Sequence, residues 1–189
     1  GCMADVQLSA DGSRAVVVDS HSQSGITTFR VSSAYYCNSS IVTVYDLRTG
    51  EAIRRFEHLD RPVLYARLAS DALLVVVEEN KIPKRHFLLC RSVTTGQALY
   101  SYTQPESASI TSCVVSADGM TAACVEINRD YHRVVVLNAS GATHEIVKGF
   151  HLHACMLSAD ASQLVTFELM PGHSYEECNW RFMVRDVPQ

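Results

Sequence analysis

Four times along 189 residues, a short apolar stretch runs into Ser-Ala-Asp or a variant, turns, and re-emerges as a second apolar run closed by an acid. The copies are Val6–Gly12, Ala66–Asp71, Cys113–Gly119 and Cys155–Asp160, and the runs after them are Ala15–Asp19, Leu74–Glu78, Ala123–Glu126 and Leu164–Glu168. A second phrase keeps step: a strand-like stretch ending in a polar residue, usually before a turn, at Asp46, Ser92, Asn138 and Asp186. Its intervals are 46, 46 and 48 residues. No convincing amphipathic helical stretch accompanies these phrases, so the chain is expected to be all-β and built from repeated units.

A period of roughly 40–50 residues made of short strands lies in the propeller range, whereas leucine-rich, ankyrin and tetratricopeptide repeats are shorter and need helices. Each unit reads as four strands, a to d. Strand a precedes Ser-Ala-Asp and strand b is the Val-rich run after it. Strand c covers Ile41–Leu47, Phe87–Val93, Val134–Ala139 and Phe182–Val187, and strand d covers Ala52–Phe56, Ala98–Tyr102 and Thr143–Val147. Their β-branched and aromatic residues suit a pleated, half-buried surface. Asp11-Gly12 and Asp118-Gly119 suit tight hairpins. The nearly unbroken apolar b strands are those of sheets hidden on both faces. The expected fold is a β-propeller segment of about four blades of four-stranded antiparallel sheet, the last blade incomplete. The blade units are approximately 5–58, 64–104, 111–149 and 153–187, within one domain over 1–189. Because repeats need capping or closure, the chain is expected to be part of a longer protein.

Ser9-Ala-Asp-Gly12 and Ser116-Ala-Asp-Gly119 are similar to the Ser-Pro-Asp-Gly-like turn of WD40-repeat β-propellers. Tyr45-Asp46 and Arg185-Asp186, with Arg91-Ser92 and Leu137-Asn138, occupy the Trp-Asp slot of that family. No unit carries the Trp or a clear Gly-His pair, so the chain resembles a degenerate WD40 propeller, of the kind found in NACHT and WD-repeat proteins. The resemblance implies radially arranged blades and a protein-interaction role.

The net charge is −4, and basic residues gather only at Arg54-Arg55 and at Lys81, Lys84 and Arg85. Tracking phosphates takes clustered Lys and Arg, so no nucleic-acid partner is expected. The longest plainly apolar run, Ala72–Val77, is far too short to span a membrane. Seven dispersed cysteines, four of them inside strand patterns, suit small hydrophobes in a reducing compartment, so a cytoplasmic location is expected. The triplets Asn38-Ser-Ser40 and Asn138-Ala-Ser140 point the other way, towards glycosylation.

Chemistry has few footholds. His151, His153 and Cys155 alternate and in a regular strand would share one face, yet they lack a fourth ligand of telling spacing. Asp19, Glu78, Glu126 and Glu168 end the b strands; they could form an anionic ring, but solvated surface carboxylates are the simpler expectation. Asp19-Ser20-His21 holds triad residue types as sequence neighbours, whereas a triad is assembled in space. No nucleophile elbow, phosphate-binding Gly-rich loop or His-Glu-x-x-His is present, so no catalysis and no cofactor or metal is expected.

Loop length carries the functional signal. In an up-down blade the b–c and d–a loops share one face, and the b–c connections at 20–40 and 169–180 are long while 80–86 and 127–132 are short. Insertions on one face of a repeat protein often mark its binding face. The candidate partner-binding residues there are Tyr35, Tyr36, Lys84, Arg85, Arg129, Tyr131, Tyr175 and Trp180. Tyr, Trp and Arg dominate interface anchors because they bury much area for few rotors. The expected function is a non-catalytic scaffold for protein partners or other domains of the same chain, with a small-molecule ligand not expected. The alternative is the propeller of a hydrolase or oxidoreductase whose catalytic residues lie elsewhere.

Overall fold

The computed structural model describes residues 5–21, 39–59, 63–78, 85–104, 108–141, 143–149, 152–169 and 180–188. Fifteen strands and no helix occur among them, arranged as four antiparallel sheets in strict sequence order. Sheet 1 holds β1 (Asp5–Leu8), β2 (Arg14–His21), β3 (Ser39–Asp46) and β4 (Ala52–Leu59). Sheet 2 holds β5 (Val63–Leu68), β6 (Ala72–Glu78), β7 (His86–Ser92) and β8 (Ala98–Thr103). Sheet 3 holds β9 (Ser109–Val115), β10 (Thr121–Ile127), β11 (His132–Asn138) and β12 (Thr143–Gly149). Sheet 4 has three strands, β13 (Leu152–Leu157), β14 (Gln163–Leu169) and β15 (Trp180–Asp186). This is the all-β, four-sheet build expected from the repeat, with the last sheet one strand short.

The Ser-Ala-Asp phrase recurs because it closes the a–b turn by itself. Asp11 accepts the Ser9 hydroxyl at 2.6 Å and the Ser13 amide at 3.0 Å, while Ser9 Oγ accepts the Arg14 amide at 3.0 Å. Ser116 and Asp118 repeat the pattern towards Thr121 and Met120, and Ser158 and Asp160 towards Gln163 and Ser162. Such local side-chain bonds compete with sheet pairing and so fix where a strand must stop. The Ser hydroxyls and the turn amides push the Asp11 and Asp160 carboxyls down to about 2. A carboxyl whose pKa is lower when folded adds stability above its unfolded pKa and loses it as pH falls through the folded value. Ser9→Ala and Ser158→Ala are therefore expected to raise the titration of Asp11 and Asp160 towards the ordinary carboxylate range. A carboxyl-carbon NMR titration between pH 5 and about 1.5 reads this directly.

Sheet 2 departs from the pattern. Its a–b turn is shorter, with Ala69 in the serine slot, and Asp71 instead accepts the Ser92 hydroxyl at 2.7 Å and the Thr94 amide at 2.9 Å. It thus ties the a–b turn to the c–d turn. The residues of the Trp-Asp slot also serve their own turns. Asp46 accepts the Arg48 and Thr49 amides at 2.8 and 3.1 Å, and Asn138 accepts the Ser140 amide at 3.1 Å.

The sheets pack face to face, each pair sealing one apolar layer. Val16, Val18, Val42 and Val44 of sheet 1 meet Ala66, Leu68, Leu73, Val75 and Val77 of sheet 2. Leu74, Val76, Leu88 and Cys90 on the other face of sheet 2 meet Cys113, Ala122 and Cys124 of sheet 3. Ala123, Val125, Val134 and Val136 then meet Leu152, Cys155 and Leu164 of sheet 4. Alternate residues of β6 and β10 point into different layers, which explains why these strands are apolar without a break.

A side chain near the start of the c strand in sheets 1, 2 and 3 clips the next sheet. Ser40 Oγ accepts the Val63 amide at 3.0 Å, and His86 Nδ1 accepts the Ile110 amide at 2.9 Å. His132 Nδ1 lies 3.0 Å from the Leu152 carbonyl. A carbonyl only accepts, so His132 carries its proton on Nδ1, whereas His86 leaves Nδ1 bare. The fourth member of this slot, spaced 46, 46 and 48 residues along, is Trp180.

Candidate interaction surface

The b–c connection described throughout is the hairpin of sheet 3, between β10 and β11. Asn128 Oδ1 accepts the amides of Asp130 and Tyr131 at 2.8 and 2.7 Å, and the Asn128 amide donates to the Tyr131 carbonyl at 3.0 Å. An Asx-type closure of this kind makes a four-residue turn rigid. It leaves Arg129 and Asp130 exposed at the tip and holds Tyr131 half-buried. The Lys148 ammonium lies 4.3 Å from the centre of the Tyr131 ring, and the Arg133 guanidinium lies 5.6 Å from it. Both distances are within the range where a cation is attracted to an aromatic face.

Arg133 is the hub beneath this turn. Its Nε is 2.7 Å from Glu126, its Nη1 is 3.1 Å from Glu145, and its Nη2 is 3.4 Å from the Tyr102 hydroxyl on β8. Burial works against the charge of Arg133, but its bonds to Glu126 and Glu145 outweigh it and hold the guanidinium more firmly protonated. Burial and the neighbouring Glu126 push the Tyr102 hydroxyl well above its ordinary range. The network joins sheets 2 and 3 and gives the turn a fixed platform.

Two of the four acids at the ends of the b strands are not the solvated surface carboxylates expected. Glu126 is fully buried and Glu168 nearly so. Glu168 meets Arg185 at 2.7 Å and Arg181 at 3.6 Å. The same register slot holds Asp19 in sheet 1, which is exposed, but Val77 in sheet 2. Glu78 stands one residue further on, opposite His86. Carboxylates enter the sheet stack here because a cross-strand arginine, Arg133 opposite Glu126 and Arg181 opposite Glu168, offsets the loss of water.

The alternation of His153 and Cys155 is also broken. β13 bulges between Leu152 and Ala154, so Cys155 turns into the layer shared with sheet 3 while His153 lies 5.6 Å from Trp180 on the opposite face. His151 lies outside the described residues. No cluster of three metal-ligating side chains occurs among the described residues. On the far side of the stack a groove of about 250 Å³ is lined by Asp118, Thr121, Asn138, His144 and Asp160. Its carboxylates are engaged in their own turns.

Of the eight residues singled out, Arg129 and Tyr131 come together in the sheet 3 hairpin. Arg85, half-buried, leads into β7 of sheet 2. Trp180 belongs to a different surface, stacked on Phe167 at 4.8 Å on the outer face of sheet 4. Tyr35, Tyr36, Lys84 and Tyr175 lie outside the described residues. Arg133, Glu145, Lys148 and Tyr102 were not among the candidates, and Glu126 was considered only as one of the acids ending the b strands. The one sequence signal for them is the mirror placement of Glu126 and Arg133 about the 128–131 turn.

Known proteins share this fold without sharing the sequence. No family model matches the chain, and none of the curated proteins matches it. Among solved structures, the β-propeller domain of the Trilobed protease from Pyrococcus furiosus is similar, with a TM-score of 0.66 and 12% identity over 98% of this chain and 56% of that one. The WD40 repeats of RRP9 give a TM-score of 0.56 and 13% identity over 97% of this chain and 52% of that one. Oligogalacturonate lyase in complex with manganese gives 0.61 and 13% over 87% of this chain and 46% of that one. The chain has a β-propeller fold, and it spans about half the length of these structures. Among the described residues, no helix is long and apolar enough to cross a membrane.

Proposed function

We propose that the chain is a non-catalytic WD40-like scaffold that binds a protein partner, or another domain of its own chain, through the face of the b–c and d–a turns. The observation that carries this is the Asn128–Tyr131 turn, closed by the Asn128 side chain, which leaves Arg129 exposed at its tip and holds Tyr131 against Lys148 and Arg133. Pre-organised Tyr and Arg side chains give up little entropy on binding, and such residues dominate interface energies. The cytoplasm fits four free, buried cysteines. Burial pushes the Cys90 and Cys113 thiols up to about 11 and Cys155 to about 12, so they stay protonated and act as packing groups. Neither nucleic acid nor a membrane is expected as partner. In a NACHT-type protein such a propeller would serve as the sensor or restraint of a nucleotide-binding module.

The test is capture of partners from cytoplasmic extract by the immobilised chain. Arg129→Glu, alone and with Tyr131→Ala, is expected to weaken capture of a specific partner at least about tenfold, the scale of one interface anchor. Arg129 is exposed, so its variant should melt like the parent chain. Undiminished capture by both variants would put the binding face elsewhere. The second reading is a propeller domain of a hydrolase or oxidoreductase, favoured by the likeness to the propeller domain of a protease. A nucleophile elbow in neighbouring sequence would support it, and a phosphate-binding loop there would support the first.

A further inference from the structure

Three thiols share the layer between sheets 2 and 3: Cys90, Cys113 and Cys124. Two of them stand directly opposite one another, Cys113 on β9 and Cys124 on β10. The Ser116 amide donates to the Thr121 carbonyl at 2.8 Å, which makes these two a hydrogen-bonded pair of the antiparallel ladder. From there the pairs alternate through Val115 and Ala122, then Val114 and Ala123, without a register shift. Cys113 and Cys124 are therefore a non-hydrogen-bonded pair, the kind whose Cα atoms stand about 4.5 Å apart with side chains closest. That separation lies inside the range of about 4.4–6.8 Å that a disulfide spans. Both side chains belong to the same apolar layer, so their sulfurs lie on one face of the sheet. In sheet 4 the same slots hold Cys155 and Thr166, and in sheet 1 they hold Val6 and Val17. Of these three sheets, sheet 3 alone carries a thiol on both strands.

We propose that Cys113 and Cys124 form a disulfide site, closed when the chain folds in contact with a small-molecule disulfide such as oxidised glutathione. One cysteine thiolate attacks a sulfur of that disulfide and displaces a glutathione thiolate. The second cysteine thiolate then attacks the protein sulfur of the mixed disulfide and displaces the other glutathione. Two protein thiols are thereby oxidised to one S–S bond, one glutathione disulfide is reduced to two thiols, and the two cysteine protons pass to the released thiolates. In the folded chain both thiols are free, with Cys113 1% and Cys124 0% exposed. Burial also pushes the Cys113 thiol up to about 11 and the Cys124 thiol well above its ordinary range, so the attacking thiolate is scarce there. The bond is thus made while sheet 3 is still open, and the closed layer then shields it from reductants. In a reducing compartment the pair stays as two packing thiols. The site is independent of the partner-binding turn at Asn128–Tyr131.

The test is refolding of the 189-residue chain with and without oxidised glutathione, followed by blocking of the remaining free thiols. Trypsin together with cyanogen bromide, which cuts after Met120, leaves Cys113 as the single cysteine of 92–120 and Cys124 as that of 121–129. Mass spectrometry is expected to find these two peptides joined in most chains refolded with the oxidant, and separated after reduction. A chain folded first under reducing conditions is expected to stay unlinked when it meets the same oxidant for the same time. The linked chain is expected to melt about 5–10 °C above the reduced one, because the bond restricts the unfolded loop between the two cysteines. Joined peptides at trace level only, or either peptide joined instead to 86–91, which carries Cys90, overturn the proposal. A linked chain that melts below the reduced one overturns it as well, since the bond would then distort the sheet. Equally fast linkage of the prefolded chain overturns closure during folding.

Discussion

Arg133→Met is expected to destabilise the fold by about 3–5 kcal/mol, because it leaves a buried carboxylate without its cation. Glu126 is fully buried, and its Oε2 lies 2.7 Å from Arg133 Nε. Its other oxygen has no hydrogen-bond partner, and the neighbouring Tyr102 hydroxyl carries no positive charge to replace the guanidinium. For a chain of this size such a loss lowers the melting midpoint by about 10 °C. The sharper measurement is a cycle with Glu126→Leu in denaturant unfolding. The double variant Glu126→Leu with Arg133→Met removes both charges together and is expected to match the parent chain or exceed it by about 1–4 kcal/mol. A cost under about 1 kcal/mol for Arg133→Met alone would mean that Glu126 reaches water or takes up a proton.

Gly119→Ala is expected to cost about 2–5 kcal/mol, the sum of a steric and a backbone term. A Cβ at Gly119 would sit 2.1 Å from Ala72 Cβ in the neighbouring sheet, with the Ala72 Cα at 3.4 Å. Neither sheet can yield there without opening the layer that holds Leu74, Leu88 and Cys124. The φ of Gly119 is also +77°, a region that costs a residue with a Cβ about 1–2 kcal/mol. Gly12→Ala is the control: φ is +68°, but no atom lies within 4 Å of the added methyl. It is expected to show the backbone term alone, and the difference between the two melts isolates the contact between sheets 2 and 3.

Much of this arrangement was open to reading because its causes are local. The serine and aspartate of the a–b turns in sheets 1, 3 and 4 bond within five residues, so their recurrence marks the strand ends directly. The doubly buried β6 and β10 announce themselves as unbroken apolar runs. Of the candidate surface, Arg129 and Tyr131 could be picked out as loop residues of types common at interfaces. Lys148 and Glu145 could not, since they come from β12 and meet the turn only through pairing with β11. The acids ending the b strands misled for a related reason. A shorter turn at 69–72 moves Glu78 out of the slot that Glu126 and Glu168 occupy, so similar sequence phrases end in different register slots. His153 and Cys155 parted for want of one fact, the bulge in β13.

The amino-acid sequence alone determined the period, the all-β character and the chemistry of the turns, because each depends on residues a few positions apart. Which side of a strand meets which neighbour was decided only by the tertiary structure. A side chain in a pleated strand changes faces with every residue, so one bulge or one shortened turn inverts the assignment. That shift puts Val77 in the register slot where Glu126 is sealed with its arginine, and the stacking of whole sheets is what leaves Phe182 and Val184 exposed where their counterparts Val42, Val44, Leu88, Cys90, Val134 and Val136 are buried.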